Sequence, residues 1–236
     1  INYAVVNLLA QPLVAQGEEL TADLWLPDGN PRPWSFAGET LEIGVVNEAS
    51  LVDLNQAEMD LLSALLFAAG VPEGEEAPMV AAILDWRDEN DLHLLNGAED
   101  ADYRAADLPY GAKDGPFDSV EELRQVMGFS RELYRILAPS LTVDSANQSV
   151  DREFAPTLVA AALEGLTLEE AELKREEQEA QDALEGAATG ARAFARGGPL
   201  YRIRVSRRGE QGAAMSMEAL VRTDLGSEPP FRVLWR

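Results

Sequence analysis

Cysteine is absent from these 236 residues, and histidine occurs once, as His93. The first absence excludes disulfides, thiolate zinc sites and a cysteine nucleophile. The second leaves a Ser-His-Asp triad or a two-histidine metal site with a single imidazole to build on. Long apolar runs are missing too: stretches such as Leu61 to Ala69 fall far short of the ~18 residues that suggest a membrane span. Lysine is nearly absent, since all but Lys113 and Lys174 of the 19 bases are arginine. Acids outnumber bases 42 to 19, and the resulting formal charge of −23 repels a phosphate backbone. Nucleic-acid binding through a basic footprint is thereby excluded.

What is present is a change of pattern along the chain. The length suits one large domain or two modest ones, with a self-sufficient core. Ile1, Val5, Leu8, Leu9 and Leu13 recur at helical spacing, so residues 1–16 read as an amphipathic helix that Gly17 stops. Residues 22–26 and 39–46 read as short strands around the turn-rich run 27–31. From Asn47 to about Gly186 the periodicity is helical, with helices expected over 53–69, 77–87, 119–127, 130–137, 155–163 and 168–184. After Gly197-Gly198-Pro199 the pattern returns to period two. Tyr201, Ile203 and Val205 alternate with polar residues, as do Met215, Met217, Ala219 and Val221 across a turn at 209–212, and Phe231, Val233 and Trp235 make a last strand. Strands at both ends bracketing a helical block predict an α+β fold: a helix on an antiparallel sheet, interrupted by an inserted all-helical domain. The divisions fall at 1–46, 47–186 and 187–236.

The chemistry concentrates in the helical block. Residues 47–118 hold 17 acids and three bases, densest from Asp85 to Tyr103. Carboxylates this close repel one another unless they are solvated, neutralised or share a cation. A hard cation such as calcium, which takes six to eight oxygens, is the physical remedy. Asp88, Asn90 and Glu99 fall at the first, third and twelfth places of an EF-hand-like count, although His93 stands where that loop needs glycine. A solvated acidic loop that merely caps the flanking helices accounts for the same residues. A metal-dependent hydrolase built on the cluster is the alternative from another class, but no convincing base, nucleophile or phosphate loop accompanies it.

Taken in order, Asp53-Leu54-Asn55, Asp85-Trp86-Arg87-Asp88, Gly97-Ala98-Glu99 with Tyr103, Pro116-Phe117-Asp118-Ser119-Val120-Glu121-Glu122-Leu123, Pro139-Ser140-Leu141-Thr142-Val143 and the closing Pro230-Phe231-Arg232-Val233-Leu234-Trp235-Arg236 resemble the K-type minor pseudopilins of bacterial type II secretion systems. The resemblance implies a pilin-like fold, with a large α-domain inserted between strands of a sheet that packs on an N-terminal helix. It implies a non-enzymatic subunit that caps the tip of a periplasmic pseudopilus with I-type and J-type minor pseudopilins, supporting protein export across the outer membrane. It also implies calcium (Ca2+) in the inserted domain. Residue by residue this favours Asp88, Asp91 and Glu99, with Asn90, Asp100 and Asp102 as further candidates. Family members reach the inner membrane of Gram-negative bacteria through an N-terminal helix half that is not in this sequence, so the chain reads as a periplasmic fragment. Val5, Val6, Leu8, Leu9 and Leu13 are then the expected partner-binding band. Secreted substrate proteins are further candidate partners. Arg202, Arg204, Arg207 and Arg208 are expected as a solvated strand face.

Overall fold

The computed structural model describes residues 1–10, 14–15, 25–185, 192–193, 197–208 and 214–235. Along the chain, helix α1 (Asn2–Ala10) is followed by β1 (Val14–Ala15), β2 (Arg32–Phe36) and β3 (Glu39–Asn47). A helical stretch then carries β4 (Val52–Asp53), α2 (Met59–Ala68), α3 (Glu76–Arg87), α4 (Asp100–Ala105), α5 (Arg131–Leu137), β5 (Leu141–Thr142), α6 (Thr157–Glu164) and α7 (Leu168–Glu185). The chain returns through β6 (Arg192–Ala193) to β7 (Leu200–Arg208), β8 (Ala214–Thr223) and β9 (Phe231–Trp235). Two compact units result. One comprises Ile1–Ser50, Asp151–Ala155 and Glu179–Arg236, and the other Leu51–Val150 and Pro156–Gln178.

The first unit is an antiparallel five-stranded sheet in the order β2-β3-β7-β8-β9. β3 and β7 are hydrogen-bonded neighbours, although the whole helical unit lies between them in sequence. Alternation decides which side chains face inward: Ile43 and Val45 of β3, Tyr201 and Ile203 of β7, and Ala219 and Val221 of β8 are buried together with Ala4, Val5 and Leu8 of α1. Each large member of that core contributes about 1.5–3 kcal/mol by leaving water. Buried charge in this unit is matched internally. The fully buried Glu48 carboxylate meets Arg202 Nε at 2.8 Å, and Arg32 meets Asp28 at 3.2 Å. Where β3 leaves the sheet, the Asn47 amide donates to Ser50 Oγ and Asp151 Oδ2, both at 3.0 Å, and accepts from the Gly198 N–H. One side chain thus ties three separate passes of the chain.

The second unit buries Leu54, Leu62, Leu65 and Leu66 with Val80, Ile83, Leu123, Leu158 and Val159. Its helices are short, and its loops are held by polar hooks. Asp53, 1% exposed, accepts from the Asn55 N–H with one oxygen and from Ser145 Oγ and the Ala146 N–H with the other. Asn55 donates to the Phe117 carbonyl and accepts from the Phe117 N–H at 2.7 Å. Arg87 donates to the Leu54 and Ala57 carbonyls. α5 starts on a Ser130 cap that accepts from the Leu133 N–H, and α6 stops at Gly165, whose φ of 69° suits the left-handed C-terminal position.

The boundaries differ from the sequence pattern in instructive places. The expected first helix ends at Ala10 rather than 16, with Val14–Ala15 extended and paired to Arg192–Ala193. The expected helix from 53 starts at Met59, because the Asp53 carboxylate is used by residues 145 and 146 instead of capping a local helix. Residues 119–127 form only a 3-10 turn, Val120–Arg124. The first sheet strand is 32–36, while part of the expected strand 22–26 and the 209–212 turn lie outside the described residues.

Candidate functional site

The acidic segment is shaped by aromatic packing beneath it. Trp86 near the end of α3 and Tyr103 in α4 are both buried, with ring centroids 5.8 Å apart, and Phe117 and Tyr110 complete the cluster. The Tyr103 hydroxyl accepts from the Met127 N–H at 3.1 Å, and burial pushes its pKa up to about 12. Trp86 and Tyr103 pack together, and Asp85, just before Trp86, and Glu99, four residues before Tyr103 at the start of α4, are both buried beside them. Gly97 makes this possible: a Cβ at that position would overlap Asp85 Oδ2. Glycine is therefore required by close approach, not by turn conformation.

Asp85 is fully buried and Glu99 is 6% exposed. Asp85 Oδ1 accepts from the Leu94 N–H at 3.3 Å, but among the described residues Asp85 Oδ2 and Glu99 Oε1 have no hydrogen-bond partner. Unsatisfied buried carboxylate oxygens are costly. Burial raises the pKa of Asp85 above the usual carboxylate range, against the lowering effect of the Leu94 and Ala98 backbone. Glu99 is pushed up to about 7, first by burial and then by the charges of Asp85, Asp114, Asp88 and Asp91. Asp114 is raised as well, by burial and by Asp91, Asp100 and Asp88. These carboxylates form one repelling, oxygen-only set, which is the donor chemistry of a hard cation.

The candidate residues divide. Glu99 sits at the centre of the set, with Asp88 half-buried and Asp91 exposed within its electrostatic range. Asn90 is exposed, and it serves a local turn: its N–H and amide both donate to Asp88 Oδ1, and its own Oδ1 accepts from the Leu92 N–H. The first and third places of the EF-hand-like count are thus joined in this turn, which does not include Glu99. Asp102 is engaged elsewhere, accepting from the Glu99 N–H and meeting His93 Nε2 at 2.6 Å. That contact raises the His93 pKa and holds Asp102 low. Asp100 is exposed and pairs with Arg104 at 3.5 Å. Among the described residues no three acidic or histidine side chains are gathered as a formed metal site. Sequence reasoning missed Asp85 and Asp114. Asp85 carried a signal, its place beside the buried Trp86; Asp114, in a loop of unremarkable composition, carried none.

The expected partner-binding band on α1 is redistributed by packing. Val5 and Leu8 are each 1% exposed and belong to the sheet core, so they are unavailable to another chain. Leu9 is half-buried against the same core, Val6 is 56% exposed, and Leu13 lies outside the described residues. A nine-residue helix lying on a sheet turns its apolar stripe inward first. Its outward face is left to Val6 and Tyr3.

Comparison with known proteins agrees with this architecture. Residues 44–146 match the family model of the type II secretion system protein K, first domain. The chain is 33% identical over 142 residues to the type II secretion system protein K of Pectobacterium carotovorum subsp. carotovorum, covering 58% of this chain and 43% of that protein. It is 41% identical over 61 residues to the corresponding protein of Klebsiella pneumoniae, covering 26% of this chain and 19% of that protein. The aligned part is thus less than half the length of either relative. A chain in the crystal structure of the GspK-GspI-GspJ complex from the enterotoxigenic Escherichia coli type 2 secretion system superposes with a TM-score of 0.62 at 19% identity, over 87% of this chain and 82% of that one. The shared fold, a sheet with a helical unit inserted between adjacent strands, extends beyond the matched segment at both ends. Over residues 44–146 the chain is thus similar to the first domain of the type II secretion system protein K family.

Proposed function

We propose that this chain is the periplasmic part of a K-type minor pseudopilin that caps the tip of a type II secretion pseudopilus, assembling with I-type and J-type minor pseudopilins during protein export across the outer membrane. The observation that carries the reading is the insertion of a whole helical unit between the neighbouring strands β3 and β7 of a helix-backed sheet. A filament grows through heterologous contacts repeated from subunit to subunit, and a subunit enlarged by such an insertion ends the series. The relative of similar fold is itself a member of a complex with GspI and GspJ, which favours the same partners here. Among the described residues no helix is long and apolar enough to cross a membrane.

Calcium is the cation this reading assigns to the acidic set. The fit rests on two buried carboxylate oxygens without partners, Asp85 Oδ2 and Glu99 Oε1, surrounded by further carboxylates. Glu99, Asp88 and Asp91 would hold the ion, with Asp85 and Asp114 completing the oxygen set. Its charge would relieve the repulsion that raises Glu99. The role is structural, ordering the loop that joins α3 to α4. The test of the assembly is analytical ultracentrifugation of the chain mixed with the soluble parts of the I and J proteins from the same organism. A stable 1:1:1 species is expected, and sedimentation as separate proteins at tens of micromolar overturns the proposal.

A further inference from the structure

In a chain with 42 acids and 19 bases, arginines find carboxylates readily. In the sheet most of them do: Arg202 lies against Glu48, Arg204 against Glu218, and Arg207 against Glu39 at 3.3 Å. Of the arginines expected as a solvated strand face, Arg204 and Arg207 are exposed while also ion-paired, Arg202 is half-buried against Glu48, and the Arg208 side chain lies outside the described residues. Arg222 of β8 and Arg232 of β9 are a different case. They are direct cross-strand partners, both exposed, and among the described residues neither forms an ion pair or hydrogen bond. Like charges at directly opposite positions, with Cβ atoms about 5 Å apart, destabilise a sheet.

Their setting is specific. Val221 and Val233, the neighbours of the two arginines in sequence, are a cross-strand pair belonging to or packed on the core, so alternation places both guanidinium groups on the opposite face. β9 is an edge strand, and it also carries Leu234 and Trp235, 49% and 39% exposed. An edge presents a row of unpaired backbone N–H and C=O groups that another strand can use. A guard against aggregation accounts for a charge on the edge strand itself. It does not account for Arg222, which sits on the inner strand, where edge protection gains nothing.

We propose that the β9 edge, with Arg222 and Arg232 beside it, is the docking site for an extended acidic segment of a protein partner, which adds as a sixth strand with a carboxylate side chain opposite Arg232. Backbone pairing supplies the register, and the planar guanidinium groups select carboxylate by two-point hydrogen bonding. The overall charge of −23 rejects long polyanions, whereas one or two carboxylates on an otherwise neutral strand meet the local arginine pair. The site lies outside the acidic loop and is independent of calcium.

The test uses the full chain and a fluorescent hexapeptide, Thr-Glu-Val-Glu-Val-Thr, with a Thr-Lys-Val-Lys-Val-Thr control, followed by anisotropy at low salt. The Glu peptide should bind and the Lys peptide should not, and added sodium chloride should weaken binding. Arg222→Gln and Arg232→Gln should each cost about fivefold in affinity, and the double reversal Arg222→Glu with Arg232→Glu should switch preference to the Lys peptide. The Gln variants keep the test decisive if the double reversal fails to fold, as judged by circular dichroism. Equal binding of both peptides, no effect of the Gln variants, displacement by equimolar inorganic phosphate, or aggregation of the variants with unchanged peptide preference would each overturn the proposal.

Discussion

The sheet unit and the inserted unit solve the problem of buried charge in opposite ways. In the sheet unit, Glu48 has no exposed surface, yet its carboxylate, in the turn after β3, faces Arg202 of β7, so the same unit that buries the charge also neutralises it. In the inserted unit Asp85 and Glu99 are buried beside other carboxylates, and one oxygen of each is left without a partner. The first arrangement is complete as it stands. The second is complete only when something positive joins it, by protonation or by a cation. The difference teaches which region is scaffold and which is responsive, without reference to composition, since both units are acidic.

The comparison can be broken at its strongest point first. Glu48→Ala leaves Arg202 beside an empty buried position, and breaking such a pair from one side costs about 3–5 kcal/mol; a urea titration reporting a loss below 1 kcal/mol would show that the sheet unit does not depend on it. Gly97→Ala forces a methyl group onto Asp85 Oδ2, so the loop between α3 and α4 must move at a cost of about 2–3 kcal/mol. Calorimetry should assign that loss to the inserted unit alone.

The third prediction sharpens the contrast through pH. Glu99 is pushed up to about 7 in the folded chain against an ordinary 4.5, so its contribution to stability is full below 4.5 and is lost as pH rises towards 7. In chelator, the inserted unit should therefore melt lower at pH 8 than at pH 5. Glu99→Gln should flatten that dependence and raise stability at pH 8 by about 1–2 kcal/mol. With calcium present the order should reverse, the native chain gaining in melting temperature and the variant not. An identical pH profile for both proteins would remove Glu99 from the responsive set.

Much of this was legible from residue order. The α+β class, the return of period two after Gly197 and the placement of α3, α5, α6 and α7 all follow from local apolar spacing, which the tertiary structure left undisturbed. The failures share one cause, a side chain used by a partner far away in sequence. Asp53 opens the expected helix 53–69 but serves residues 145 and 146, and α2 begins six residues later. Val5 and Leu8 read as a partner surface, but a sheet assembled from β3, β7 and β8 takes them first.

The sequence by itself determined the class of fold, the insertion of helices between strands, the exclusion of thiol and nucleic-acid chemistry, and the family resemblance, because each depends on local periodicity or on counts of residue types. Only the tertiary structure decided which acids are buried together, which arginines are neutralised and which pair on β8 and β9 is not. Burial and pairing are properties of neighbours in space. Glu99 acquires its raised pKa from burial beside Asp85, Asp114, Asp88 and Asp91, and Arg222 its place opposite Arg232 from the register of β8 and β9, neither of which a count of residues reveals.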